Sequence, residues 1–187
     1  MKKHLNFINL FVVVFALFVG SMNVNGSTKP YLISKDYCTL TMKFFTADTI
    51  LVVIPETCTM SEADRSAIEN ALCCENAQSK PVYIYKSEKA VSAEDSKKHI
   101  LFYGCFNKFQ RKEFLGIPVK KQGEGFRFEN RTFTDPADAF FYVNKKADRL
   151  YLCKNSDNSR HQFFNIGGTG YPLHIFHERK IVLTGVY

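Results

Sequence analysis

Thr49-Ile50-Leu51-Val52-Val53-Ile54 is an unbroken aliphatic and β-branched run, stopped by Pro55. Successive side chains of a strand point to opposite faces, so a strand with one wet face alternates apolar and polar residues. A run that is apolar at every position suits a strand buried on both faces, as in a parallel sheet covered by helices. Ser61 follows as an N-cap, with Glu62 and Asp64 in the first turn, where acids are favoured by the helix dipole. Ala63, Ala67, Ile68, Ala71, Leu72 and Cys74 then recur at helical spacing and predict an amphipathic helix.

Pro81 to Tyr85 and His99 to Gly104 predict two further strands, separated by a polar linker with a short helical turn around Ala93-Glu94-Asp95. Phe106 to Leu115, closed by Gly116 and Pro118, predicts a second helix. Gly125 to Phe133 alternates apolar and polar residues and predicts one half-exposed strand. Ala139–Val143 and Leu150–Cys153 predict a pair joined by Asn144-Lys145-Lys146-Ala147-Asp148. Leu173–Phe176 and Ile181–Thr184 predict a terminal hairpin around His177 to Lys180. The expected fold class is α/β, or α+β: a mixed, partly parallel sheet with two or three helices and a C-terminal β-hairpin.

The chain opens with Lys2 and Lys3, an apolar stretch from Leu5 to Val19, and the small residues Gly20, Ser21, Gly26 and Ser27. That is the layout of a secretory signal peptide, and its uninterrupted core is shorter than the roughly 20 residues a spanning helix needs. Residues 1–26 are expected to be cleaved, leaving 27–187 as a single exported domain, secreted or periplasmic, with no membrane segment of its own. About 160 residues are enough for a real core. All six cysteines, Cys38, Cys58, Cys73, Cys74, Cys105 and Cys153, fall in that part. Export puts them where disulfides persist, so structural disulfides are expected, with the connectivity open. The neighbours Cys73 and Cys74 would each need a partner elsewhere, because adjacent residues rarely reach disulfide geometry.

The formal charge is +7, or +5 without Lys2 and Lys3, and its basic pairs, Lys97-Lys98, Lys120-Lys121, Lys145-Lys146 and Arg179-Lys180, are scattered between the expected elements. A nucleic-acid binder would concentrate it in a stripe with interleaved aromatics, so no nucleic-acid partner is expected. Gly167-Gly168-Thr169-Gly170 is followed by Tyr171-Pro172 and lacks the Lys-Ser/Thr pair of a phosphate loop; a flexible turn explains it better. His174 and His177 sit three apart, on opposite faces of a strand, and would make a metal site with Glu178 only if the chain turned there. Glu124, Glu129, Asp135 and Asp138 read as solvated surface. A Cys–His pair such as Cys105 with His99 is a thiol arrangement to test, since Gly104 and Cys105 end a strand where open α/β sheets bind ligands. Asn130-Arg131-Thr132 fits an N-glycosylation acceptor. The aromatic load, 18 Phe and 9 Tyr without Trp, sits mostly at strand positions and points first to core.

Lys98 to Gly104, Phe114 to Val119 and Gly125 to Phe128, with Tyr171 to Phe176 and Lys180 to Gly185 at the end, resemble a small Rossmann-like accessory domain of exported bacterial hydrolases and peptidases. The resemblance spans residues 48 to 187. It implies a non-catalytic α/β module and brings no catalytic residue with it; the six cysteines depart from it.

These readings converge on an exported domain that binds a protein or glycan partner, with no catalytic residue, cofactor or metal ligand assigned. A small exported enzyme of thiol or hydrolase type, with its site near Gly104 and Cys105, is the second reading. A secreted effector or inhibitor is the third.

Overall fold

A computed structural model of the chain describes residues 40–41, 43–71, 81–156, 171–178 and 180–185. These belong to one compact unit, Ile33–Tyr187. The signal-peptide region, Cys38, Cys73, Cys74, His161 and the Gly167–Gly170 cluster lie outside the described residues. No helix among the described residues is long and apolar enough to cross a membrane.

The first strand, β1 (Thr49–Ile54), is fully buried from Ile50 to Val53. It leads into helix α1 (Glu62–Ala71). Ser61 and Asp64 close the helix start as a capping box: Ser61 Oγ accepts the Asp64 N–H at 3.1 Å, and Asp64 Oδ2 accepts the Ser61 N–H at 3.2 Å. The chain then returns as β2 (Val82–Ser87), parallel to β1, and β3 (His99–Cys105) pairs parallel with the other side of β1. Three short strands follow, β4 (Lys120–Gln122), β5 (Gly125–Phe128) and β6 (Arg131–Phe133), which form their own antiparallel sheet in that order. The pair β7 (Asp138–Val143) and β8 (Arg149–Lys154) and the terminal hairpin β9 (Leu173–His177) and β10 (Lys180–Gly185) complete the main sheet.

The seven main strands run β10-β9-β7-β8-β3-β1-β2. From β2 to β8 neighbours are parallel; from β8 to β10 they are antiparallel. The mixed sheet and the C-terminal hairpin are as the sequence predicts, but the protein is richer in strands and poorer in helix.

Two layers cover the sheet. On one face Ile50, Val52, Leu101 and Leu152 pack with Ile68 of α1 and with Phe44 and Phe45. On the other, Leu51, Phe102, Phe140 and Tyr151 pack under Phe106, Phe109, Phe114 and the small sheet's Phe126 and Phe128. Phe102 stacks on Tyr151 at 4.5 Å between centroids, and Phe126 meets Phe140 edge-on at 5.0 Å. Much of the aromatic load is therefore core.

Three local expectations change. The helix predicted for Phe106 to Leu115 is instead two 3-10 turns, Phe106–Lys108 and Lys112–Phe114, with Phe109 and Arg111 extended between them. The reason is Glu88, a buried carboxylate that accepts the Gln110 N–H at 2.9 Å and the Arg111 N–H at 2.6 Å. An α-helix would need those donors for its own ladder; released from it, the segment stretches so that three phenylalanines reach the same sheet face. The alternating run Gly125 to Phe133 is not one strand but a hairpin turned at Glu129-Asn130, with Glu129 left-handed at φ 49°. Folding it back stacks Phe133 on Phe126 at 5.2 Å. Gly125 permits the close return, since a Cβ there would stand 2.0 Å from the Phe133 carbonyl oxygen. Finally, Asp138 is buried, not solvated surface, and accepts the Asp135 N–H at 3.0 Å.

Candidate functional site

In an open sheet, ligands enter where strand order reverses, outside the carboxyl ends of the strands. Here β2 lies on one side of β1 and β3 on the other, so the reversal falls between β1 and β3. The carboxyl ends that meet there carry Pro55 to Cys58 after β1, Tyr103 to Cys105 on β3, and Cys153-Lys154 on β8.

Gly104 is paired with Cys153 and holds φ +127°, a conformation that side chains disfavour. A Cβ on it would sit 3.0 Å from Pro55 Cδ and 3.5 Å from Cys58 Sγ. The space beside Gly104 is thus taken by the chain's own loop. Cys58 is partly exposed, while Cys105 and Cys153 are buried, and no disulfide joins these three to one another. Burial, aided by nearby Cys58, pushes the Cys153 thiol well above its ordinary value. A thiolate is the reactive form, so the site disfavours thiol chemistry at Cys153. His99 stands at the opposite end of β3 from Cys105, roughly 20 Å away at strand rise, so the two do not form a pair.

The other face of the same strand ends holds a polar cluster that sequence reasoning missed. Tyr103 donates its hydroxyl to Asp64 Oδ1 at 2.7 Å, and Ser61 donates to Asp64 Oδ2 at 2.8 Å. Lys154 is buried, with its ammonium 5.5 Å from the centre of the Tyr103 ring. Burial pushes the Asp64 carboxyl up, but the Tyr103 and Ser61 hydrogen bonds and the Lys154 charge outweigh it and hold the group below its usual range. The parity of Leu150, Leu152 and Lys154 along β8 was a usable signal that Lys154 faces inward. Nothing in the spacing of Asp64 and Tyr103 foretold their contact, because they are 39 residues apart. The cluster ties the start of α1 to the sheet.

His174 and His177 do not converge on Glu178. The His174 ring is buried and its Nε2 donates to the Tyr171 carbonyl at 2.9 Å. His177 is exposed and its Nδ1 lies 3.0 Å from Asp138 Oδ1, which holds its pKa above the ordinary value. No group of acidic, histidine or cysteine side chains among the described residues has the makings of a metal site. Asn130 lies exposed in the β5–β6 turn.

A different surface stands out at the far edge of the sheet. Among the described strands β10 is outermost, and three consecutive residues, Lys180, Ile181 and Val182, are exposed. Ile181 and Val182 retain 44% and 45% of their surface, which makes them, with Val82 at 62%, the large apolar side chains most open to solvent among the described residues. The hairpin itself was legible in sequence; its place at an edge was not, because strand order is a tertiary property.

Comparison of the chain with known protein families, with curated proteins and with solved structures finds no match.

Proposed function

We propose that the protein is an exported binding domain without catalysis of its own, and that β10 is the strand on which a protein partner docks. The observation that carries this reading is the adjacent pair Ile181 and Val182, left open on an edge strand. An extended segment of another protein can add to such an edge, taking affinity from main-chain hydrogen bonds and specificity from side-chain pockets. A protein strand suits this surface better than a glycan, because two of its three exposed side chains, Ile181 and Val182, are aliphatic, and an edge strand characteristically offers backbone donors and acceptors in a row. The enclosed Cys105 and Cys153 thiols and the filled space beside Gly104 weigh against the thiol-enzyme reading.

A displayed library of random peptides tests this without a known partner. Selection against the folded domain should enrich peptides of alternating apolar pattern. Ile181→Lys or Val182→Lys should weaken the selected peptides at least about tenfold, while Val82→Lys on the opposite edge leaves them unchanged. Binding indifferent to the β10 changes would sink the proposal.

A further inference from the structure

The turn between β5 and β6 places the acceptor triplet Asn130-Arg131-Thr132 on an exposed surface. We infer that Asn130 is an N-glycosylation acceptor, modified wherever the chain is exported through a eukaryotic secretory pathway; this rests on the export in the proposed reading and is independent of whether β10 binds a partner.

Other asparagines of the fold put their side chains to work, and Asn130 does not. Asn107 donates to the Glu124 carbonyl at 3.0 Å. Asn144 donates to Asp148 Oδ1 at 2.6 Å and accepts the Asp148 and Arg149 N–H groups, each at 3.1 Å, and so builds the β7–β8 turn. Asn155 donates to the Phe133 and Asp135 carbonyls at 3.1 and 2.9 Å. Each would strand a polar partner if its amide were taken up. The Asn130 side chain makes no hydrogen bond among the described residues, nor does the Thr132 hydroxyl, and all three residues of the triplet are exposed. The turn position suits asparagine without needing its side chain, because Glu129 carries the left-handed conformation. A glycan at Asn130 therefore displaces nothing and projects from a hairpin tip.

The donor class is an oligosaccharide linked through a diphosphate to a membrane lipid. The Asn130 amide nitrogen bonds to the anomeric carbon, the carbon–oxygen bond to the diphosphate breaks, the lipid diphosphate leaves, and the amide proton passes to a base of the transferase. The hydroxyl two residues on, here Thr132, completes the recognised triplet. The position also has a physical use. β6 is an outer strand of the small sheet, with Arg131 and Thr132 exposed, and a bulky, hydrated substituent beside it would block strand-to-strand association there.

The sequence holds one other acceptor triplet, Asn25-Gly26-Ser27. The full chain carrying Asn25→Gln is therefore expressed in secreting eukaryotic cells, and intact mass is read on both secreted and cell-associated protein. The expected result is a mass above that of the polypeptide, removed by peptide N-glycosidase with conversion of Asn130 to aspartate. Asn130→Gln and Thr132→Ala should each abolish the increment, and Thr132→Ser should keep it. Protein that has entered the secretory pathway with Asn130 unmodified overturns the inference, as does an increment that survives both Asn130→Gln and Thr132→Ala.

Discussion

The main sheet ends in two edges of opposite make. At β2 the chain finishes its own work: Tyr85 donates to Glu69 Oε1 at 2.7 Å, the Arg65 guanidinium lies 4.5 Å over the Tyr85 ring, and Lys86 reaches Asp95 at 2.6 Å. Burial and the Glu69 carboxylate both push the Tyr85 hydroxyl up, so it stays a neutral donor. Only Val82, the first residue of β2, is left bare. At β10 the defences are thin: one lysine at the start and a register shift between Ile181 and Leu183. Lysines and bulges are common ways of blunting an edge, but they leave the aliphatic pair Ile181 and Val182 in water. The contrast teaches that, among the described residues, the helix and turns of the parallel half reach over β2, whereas β10 keeps Ile181 and Val182 open. A surface that evolution has dressed at one end and left undressed at the other is where a partner is to be sought.

The largest expected effect tests how tightly the parallel half is closed. Gly104→Ala would set a Cβ 3.0 Å from Pro55 Cδ, in a backbone conformation of φ +127°. Strain and overpacking each cost about 1–3 kcal/mol, so a loss of about 4 kcal/mol is expected by chemical denaturation. Val182→Ala in β10 should cost less than about 1 kcal/mol. Similar losses at both positions would erase the distinction between a closed half and an open one.

The antiparallel half has a sensitivity of its own, set by His174. Its ring is buried among Phe141, Tyr171 and Phe176, with centroids 5.7, 6.3 and 6.2 Å away. Burial lowers its pKa to about 4, against the opposing pull of the Tyr171 carbonyl. Between pH 6.5 and 4 the unfolded chain takes up a proton that the folded chain refuses, so stability falls as pH falls across that window. The full difference is about 3 kcal/mol. His174→Gln keeps a donor for the carbonyl and removes the titration; its stability should be nearly flat over the same range. A wild-type curve already flat there would show that the ring is hydrated in solution.

How much of this was legible in the sequence follows a physical line. Strands β1 and β3 announced themselves because a segment buried on both faces must be apolar throughout, and the cap of α1 was readable because Ser61 and Asp64 act within one turn. The second helix was misread because Glu88, 22 residues before Gln110, decides it through the backbone of a distant loop. The 125–133 hairpin was misread although its phase held a clue: Phe133 is out of step with Phe126 and Phe128 in a single strand, and only the two-residue turn that pairs Phe126 with Phe133 returns it to their face. Asp138 gave no sign of burial, since its partners, the Asp135 N–H and His177, become neighbours only through turn geometry and the pairing of β7 with β9. Of the candidate site, Gly104 and Cys105 were placed correctly at a strand end, but what occupies the space beside them was set by a loop after a different strand. The edge at β10 was invisible for a like reason: sequence gives strands, and only the sheet gives their order.

The smallest effect concerns the dressing of β2 itself. Asp95 accepts hydrogen bonds from Lys86 and Lys98 at 2.6 and 3.0 Å and from the Ser92 N–H at 3.0 Å. Lys86 first, then Ser92 and Lys98, hold its carboxyl well below the usual range. A depressed carboxylate contributes stability above its unfolded pKa, about 3.9, and that contribution is lost as pH falls below it. The two ammonium groups are about a third exposed, at 32% and 37%, so solvent and salt screen much of the attraction. Asp95→Asn should therefore lower the denaturation midpoint only slightly at pH 7, less still in high salt, and flatten the curve below pH 4 while leaving the fall between pH 6.5 and 4 intact. His174→Gln should do the reverse. If each substitution flattens its own window and spares the other, the two halves of the sheet carry separate acid sensitivities; if Asp95→Asn also flattens the upper window, the β2 edge and the β9 core titrate as one unit and the division into halves fails.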